Sequence, residues 1–163
     1  MPSSTPSPNN PPLTLRPARM DDAAAIADTH ILARESAPGM PPSIHLPSAV
    51  HAWVKQTLQS GYATLAAERE GAVVGYARYP ADNELADLYV HPSEQGRKVR
   101  TSLLGAVKEA IPKEFEPWVF LSHVSARDFY AHHGFMEVGR TDGNGNGQME
   151  PDVKMRWRAP AAA

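Results

Sequence analysis

The sequence predicts an α/β domain in three layers, with a central mixed, mostly antiparallel sheet flanked by helices, and three observations carry that expectation. Apolar residues recur at helical spacing in the first third of the chain, then switch to near-alternation after Ser60-Gly61. A Glu70-Gly71 turn joins two of the alternating runs, a short-range hairpin signal. Further on, strand and helix patterns succeed one another, an order that requires helices layered on a sheet. At 163 residues, 42% of them hydrophobic and 21% charged, the chain suits one domain with an apolar core.

The elements follow in order. Residues 1–12, MPSSTPSPNNPP, are too rich in Pro, Ser and Asn to offset the entropy of ordering and read as a flexible tail. LTLR from Leu13 is a short strand, and Asp21 or Asp22 is placed to cap an alanine-rich helix carrying Ile26, Ile31 and Leu32. SAPGMPPSIHLP reads as a loop, and Val50, Trp53, Val54 and Leu58 mark a second helix from about Pro47 to Leu58. YATLAAE, AVVGYARY and ELADLYV are three consecutive strands, the last running from Glu84 to Val90 and stopped by His91-Pro92. A helix from about Gly96 to Ala110 presents Val99, Leu103, Leu104 and Val107 on one stripe, and Pro112 ends it. WVFL is a short buried strand, and SARDFYAHHG a helix with Phe129 inward, terminated by Gly134. FMEVGR and VKMRW form the last strands around TDGNGNGQMEPD, leaving a domain over 13–158 and a frayed tail over 159–163.

Composition narrows the function. The net charge of -2, with basic residues dispersed, gives no electrostatic footprint for nucleic acid. Cysteine is absent, which excludes disulfides, thiolate nucleophiles and cysteine-ligated metals. The N-terminal residues lack the charged and apolar blocks of a signal peptide, and no apolar run reaches the roughly 20 residues that span a bilayer. A cytoplasmic protein acting on a small molecule, without membrane or nucleic-acid partner, is the expectation. His132 and His133 are adjacent on a helix and diverge, so no metal site is expected.

Three segments then carry a resemblance: LYVHPSEQGRKVRTSLL (88–104), ARDFYAHHGF (126–135) and VGRTDGNGNGQMEPDVKMRW (138–157). In order and spacing they resemble the GCN5-related N-acetyltransferase (GNAT) family over about residues 13–158. The resemblance implies a GNAT-like fold and acyl transfer from acetyl-CoA to a primary amine in a ternary complex. It implies that Gln95, Gly96, Arg97, Lys98, Val99, Arg100 and Thr101 surround the cofactor pyrophosphate, where free N–H groups and the positive end of a helix stabilise phosphate. Backbone at Leu88 and Val90, with Leu121 on a neighbouring strand, would meet the pantetheine arm. Tyr130 matches the family tyrosine that protonates the departing thiolate, and Glu84 resembles the glutamate that accepts the amine proton through water. Small relatives often dimerise, so a homodimer is one expected assembly.

The chain departs from the family pattern around one site. Lys98 and Arg100 stand at the two small-residue positions of the pyrophosphate loop, and His123 stands where many relatives place asparagine. The two cationic side chains either add charge-assisted phosphate contacts or fill the cleft. His123 either exchanges a proton and binds an anion or is a hydrogen-bonded strand-end residue. Glu84 and Tyr130 have ordinary alternatives as a solvated carboxylate and a packed ring. Asp87, three residues from Glu84, is expected on the opposite face of the same strand. The first helices and their loop would wall the acceptor cleft with Met40, His45, His51 and Trp53, joined by Tyr76, Tyr79 and Trp118. Besides acetyl transfer, two functions stay open: another reaction on the same scaffold, and a non-catalytic ligand-binding or interaction protein.

Overall fold

The computed structural model describes residues 11–79 and 83–161, so most of the expected N-terminal tail, the end of the C-terminal tail and Asp82 lie outside the described residues. Strands β1 (Leu13–Pro17), β2 (Thr64–Arg69), β3 (Ala72–Arg78) and β5 (Asp87–Val90) form one antiparallel sheet in the order β1-β2-β3-β5. Strands β4 (Glu84–Leu85), β6 (Glu114–Phe120), β8 (Asp152–Arg158) and β7 (Met136–Thr141) form the second, in the order β4-β6-β8-β7. Only β4 and β6 run parallel. Helices α1 (Ala23–Ser36), α2 (Pro47–Gln59), α3 (Val99–Ala110) and α4 (Val124–His132) complete the layers.

Two apolar clusters hold the layers together. The larger joins both sheets to α3 and α4 through Leu85, Val99, Leu103, Leu104, Phe115, Tyr130 and Phe135. The smaller packs Ile26 and Ala27 of α1 and Val50 and Val54 of α2 on Tyr76 of β3. The helical spacing of those residues puts each set on one face, which is why burial selects helix in both segments.

The single strand expected over Glu84–Val90 is two. The chain breaks at Ala86, whose N–H donates to the Arg78 carbonyl at 2.8 Å, and Asp87 is fixed to Arg78 by an ion pair at 2.6 Å. Leu85 turns into the larger core, while β5 pairs only with β3. The strand-parity argument that set Glu84 and Asp87 on opposite faces therefore does not apply: they belong to different sheets. The WVFL strand is longer than expected because Glu114–Pro117 pair with β4 and β8 as well.

One further expectation is corrected. Asp22 does not cap the alanine-rich helix; it accepts the Arg19 N–H at 2.7 Å within a 3-10 turn and holds Arg16 bidentately at 2.7 and 2.9 Å. On α4 Ala126 and Tyr130 are buried, and Phe129, as expected, packs against the larger core, half-buried where it also lines a cavity.

The Arg16–Asp22 pair makes a pH dependence. Arg16 also binds Glu68 on the neighbouring strand at 2.6 Å, and its hydrogen bonds hold the Asp22 carboxyl below its ordinary value near 3.8. A depressed carboxyl contributes stability that is present above that ordinary value and is lost as pH falls through the folded-state value. Urea unfolding of Asp22→Asn should show lower stability than the parent at pH 7 and a shallower decline below pH 4.

Candidate active site

The free edge of β5 borders a cavity of about 520 Å³ that also receives the end of α1, the loop before α3, and the starts of α3 and α4. It gathers most residues that the sequence singled out: Leu88, Val90, Gln95, Gly96, Lys98, Val99, Arg100, Thr101, His123 and Tyr130. Arg97 stands outside this wall, ion-paired to Glu94 at 3.4 Å, and Leu121 packs against the larger core.

The loop before α3 is built for close approach. A 3-10 turn over Pro92–Glu94 leads into Gly96 at φ 78° and Lys98 at φ 65°, and the helix starts only at Val99, three residues later than its sequence pattern suggests. The left-handed turn at Lys98 survives without glycine, at a cost of about 1–2 kcal/mol for an ordinary side chain. Its consequence is an open helix end. The first α3 bond is Ser102 N–H to the Lys98 carbonyl at 3.0 Å, so the N–H groups of Val99, Arg100 and Thr101 have no acceptor within the helix. A methyl group added at Gly96 would meet nothing within 4 Å.

Beneath the loop, Glu94 is 6% exposed and binds the equally buried Arg69 of β2 at 3.2 Å. Arg69 also donates to the Pro11 carbonyl. The loop is thus tied to the sheet by a buried pair whose loss of one partner would cost about 3–5 kcal/mol.

Arg100 does not lie along the loop. Its guanidinium sits 4.1 Å from the centroid of the Phe129 ring, with no carboxylate partner among the described residues, and burial lowers its affinity for a proton. The Tyr130 ring is 7% exposed, between Phe129 and Phe135 at centroid distances of 5.4 and 5.0 Å. Its hydroxyl makes no hydrogen bond among the described residues, and burial raises its pKa, so the phenol keeps its proton. His123, immediately before α4, is half-buried in the same wall; burial, then Arg100 and Arg34, lower its pKa and leave the imidazole neutral near pH 7.

A second cavity of about 420 Å³ lies on the adjoining face of α1 and contains His30, Arg34, Met40 and His45. Met40 and His45 were expected there; His30 and Arg34 were missed. Their signal was a pair of polar side chains four residues apart within the apolar stripe of an alanine-rich helix. His30 Nδ1 lies 2.8 Å from the buried Tyr76 hydroxyl, and the His30 ring packs on Trp53 and Tyr89 at centroid distances of 5.6 and 4.8 Å. Tyr89 lines the first cavity, so one aromatic ring separates the two.

The other expected acceptor residues fall elsewhere. Tyr76 is 1% exposed and reaches neither cavity except through His30; Trp53 lies under the Arg78 guanidinium; His51 pairs with Asp28 at 3.0 Å. Tyr79 packs on the larger core, and Trp118 is exposed on β6 beside Lys154. Glu84 is exposed at the start of β4 and lines neither cavity.

An edge strand, an open helix end and a buried tyrosine thus border one cleft, and comparison with known proteins supplies the family. A family model described as an acetyltransferase (GNAT) domain matches residues 42–158, and the chain belongs to this family. Among solved structures, the apo form of YjaB from Escherichia coli superposes with a TM-score of 0.75 at 17% identity, covering 91% of this chain and 99% of that one. A GCN5-related N-acetyltransferase from Rhodopseudomonas palustris gives a TM-score of 0.73 at 25% identity over 97% and 98% of the two chains. YncA from Salmonella typhimurium, a putative acetyltransferase with its cofactor acetyl-CoA, gives 0.68 at 20% identity over 93% and 96%. Curated proteins returned no sequence match. No helix among the described residues is long and apolar enough to cross a membrane.

The left-handed turn at Lys98 can be tested directly. Lys98→Gly should unfold at higher urea, a gain of up to about 1 kcal/mol, because relief of the turn exceeds the added freedom of glycine in the unfolded chain. Lys98→Val should lose about 1 kcal/mol, since a branched side chain fits that backbone worse.

Proposed function

We propose that the protein transfers an acetyl group from acetyl-CoA to an amine of a small molecule. The observation that carries this reading is the Tyr130 hydroxyl, without a hydrogen-bond partner among the described residues, on a buried ring in the same cavity as the N–H groups of Val99, Arg100 and Thr101, which have no acceptor within the helix. The residues fit the cofactor: those N–H groups suit its pyrophosphate, Gly96 leaves open space, and the unpaired edge of β5 at Leu88–Val90 offers backbone partners to an amide-bearing arm. Arg100, drawn against Phe129, adds positive charge to the cavity without occupying the helix end. Lys98, exposed at the cavity rim, does the same from the other side.

Bound acetyl-CoA would supply an activated thioester. With that thioester bound, His123, neutral near pH 7, would accept the amine proton, and Tyr130 would supply the proton that the leaving thiolate takes. Glu84, remote from both cavities, is not assigned the proton-acceptor role. The products are the N-acetylated amine and free CoA.

Calorimetric titration with acetyl-CoA, CoA and dephospho-CoA tests cofactor use. Specific binding is expected, and Lys98→Glu and Arg100→Glu should each weaken it by about tenfold. A folded protein that binds none of the three would overturn the reading. Once an acceptor amine is identified, Tyr130→Phe should lower kcat by about 10²-fold with little change in the KM for acetyl-CoA. The rate should fall as pH drops through a value below 6.5, the ordinary histidine value, because protonated His123 cannot accept a proton. That acid limb should disappear in His123→Gln.

A further inference from the structure

The second cavity contains a guanidinium with which no carboxylate pairs among the described residues. Arg34 lines it, yet the partners of its guanidinium are neutral: the Pro41 carbonyl at 3.1 Å, the Tyr89 hydroxyl at 3.5 Å and the face of the Phe120 ring at 5.9 Å. Among the described residues no carboxylate pairs with it. Arg78, nearby, shows the contrast, since Asp87 neutralises it at 2.6 Å. A half-buried guanidinium held by neutral acceptors retains donors and a full charge for an incoming anion.

His30 adds a second donor to the same wall. It lies four residues before Arg34, so both side chains share one face of α1. The Tyr76 hydroxyl is fully enclosed and has His30 Nδ1 as its one hydrogen-bond partner among the described residues. A buried phenol keeps its proton and donates it rather than leaving it unsatisfied, which assigns Nδ1 as the acceptor. The imidazole is neutral, so its proton must then reside on Nε2, an atom with no protein partner among the described residues. The cavity thus presents a guanidinium and an imidazole N–H together. Glu35 shares the cavity, is exposed and makes no ion pair with Arg34.

We infer that the acceptor is an amine that also bears an anionic oxygen group, of the α-amino acid class, with this group held by Arg34 and by the Nε2–H of His30. The inference rests on the acyl-transfer reading for the role of the amine, while recognition of the anion stands by itself. The amine would reach the first cavity around the edge of Tyr89, where the Arg34 guanidinium meets the Tyr89 hydroxyl at 3.5 Å.

The test measures product binding, so it needs neither cofactor nor turnover. N-acetyl amino acids covering the standard side chains are titrated calorimetrically against the matched C-terminal amides, which differ only in the anionic group. At least one acid should bind about tenfold or more tightly than its amide. Arg34→Met should abolish that preference while leaving the amide affinity and the CoA affinity within about twofold, and His30→Gln should reduce it. Arg34→Lys, which keeps the charge, should retain part of the preference and guards against a folding defect in the methionine variant. Equal binding of acid and amide in every pair, no binding in any pair, or a preference that persists in Arg34→Met overturns the inference. Loss of CoA affinity in Arg34→Met also overturns it, since Arg34 would then belong to the cofactor site. Failure of the transfer reading is seen separately, as a parent protein that binds no CoA.

Discussion

Between Leu85 and Asp87 the chain leaves one sheet for the other, and the two sheets separate there. Leu85 is drawn into the larger apolar core while Ala86 donates to the Arg78 carbonyl and Asp87 is held by the Arg78 guanidinium. Opposed demands on adjacent residues, one apolar and one ionic, leave β5 with a single hydrogen-bonded neighbour. An unpaired strand edge is ordinarily a hazard for aggregation. Here it borders a cavity that the starts of α3 and α4 also line.

The same separation explains how the loop tolerates two cationic side chains where small residues are usual. Lys98 adopts the left-handed backbone that glycine would supply, and its side chain stays exposed at the rim. Arg100 finds the face of Phe129, a neutral partner that stabilises the cation without cancelling its charge. Both side chains add positive charge to the cleft. Burial acts in parallel on its titrating groups, keeping Tyr130 protonated and His123 neutral, the states that a proton donor and a proton acceptor require.

Helix α1 lines both cavities. One face reaches the first cavity through Ala33 and Ser36, and the other reaches the second through His30 and Arg34. Small residues on the first face leave room for a ligand, whereas His30 and Arg34 set the polarity of the second. Tyr76 and Tyr89, neighbours across β3 and β5, fix the His30 ring between these spaces. A single face of the sheet therefore holds both sides of the cleft in register.

By itself the sequence determined the layered α/β class, the helices, the Glu70-Gly71 hairpin and the loop before α3, because each depends on local periodicity, turn chemistry or a contiguous motif. Tyr130, His123 and the loop residues were legible for the same reason, as they occupy fixed positions within short segments. Tertiary structure alone decided the break at Ala86, which requires Arg78 from another strand, and the exclusion of Glu84 from the cavities. It also decided the orientation of Arg100 and the meeting of His30 with Tyr76, 46 residues away. Spacing along a chain reports which face of an element a residue occupies. Which other element that face meets is set by packing, and packing joined Arg34, His30 and Tyr89 into one wall.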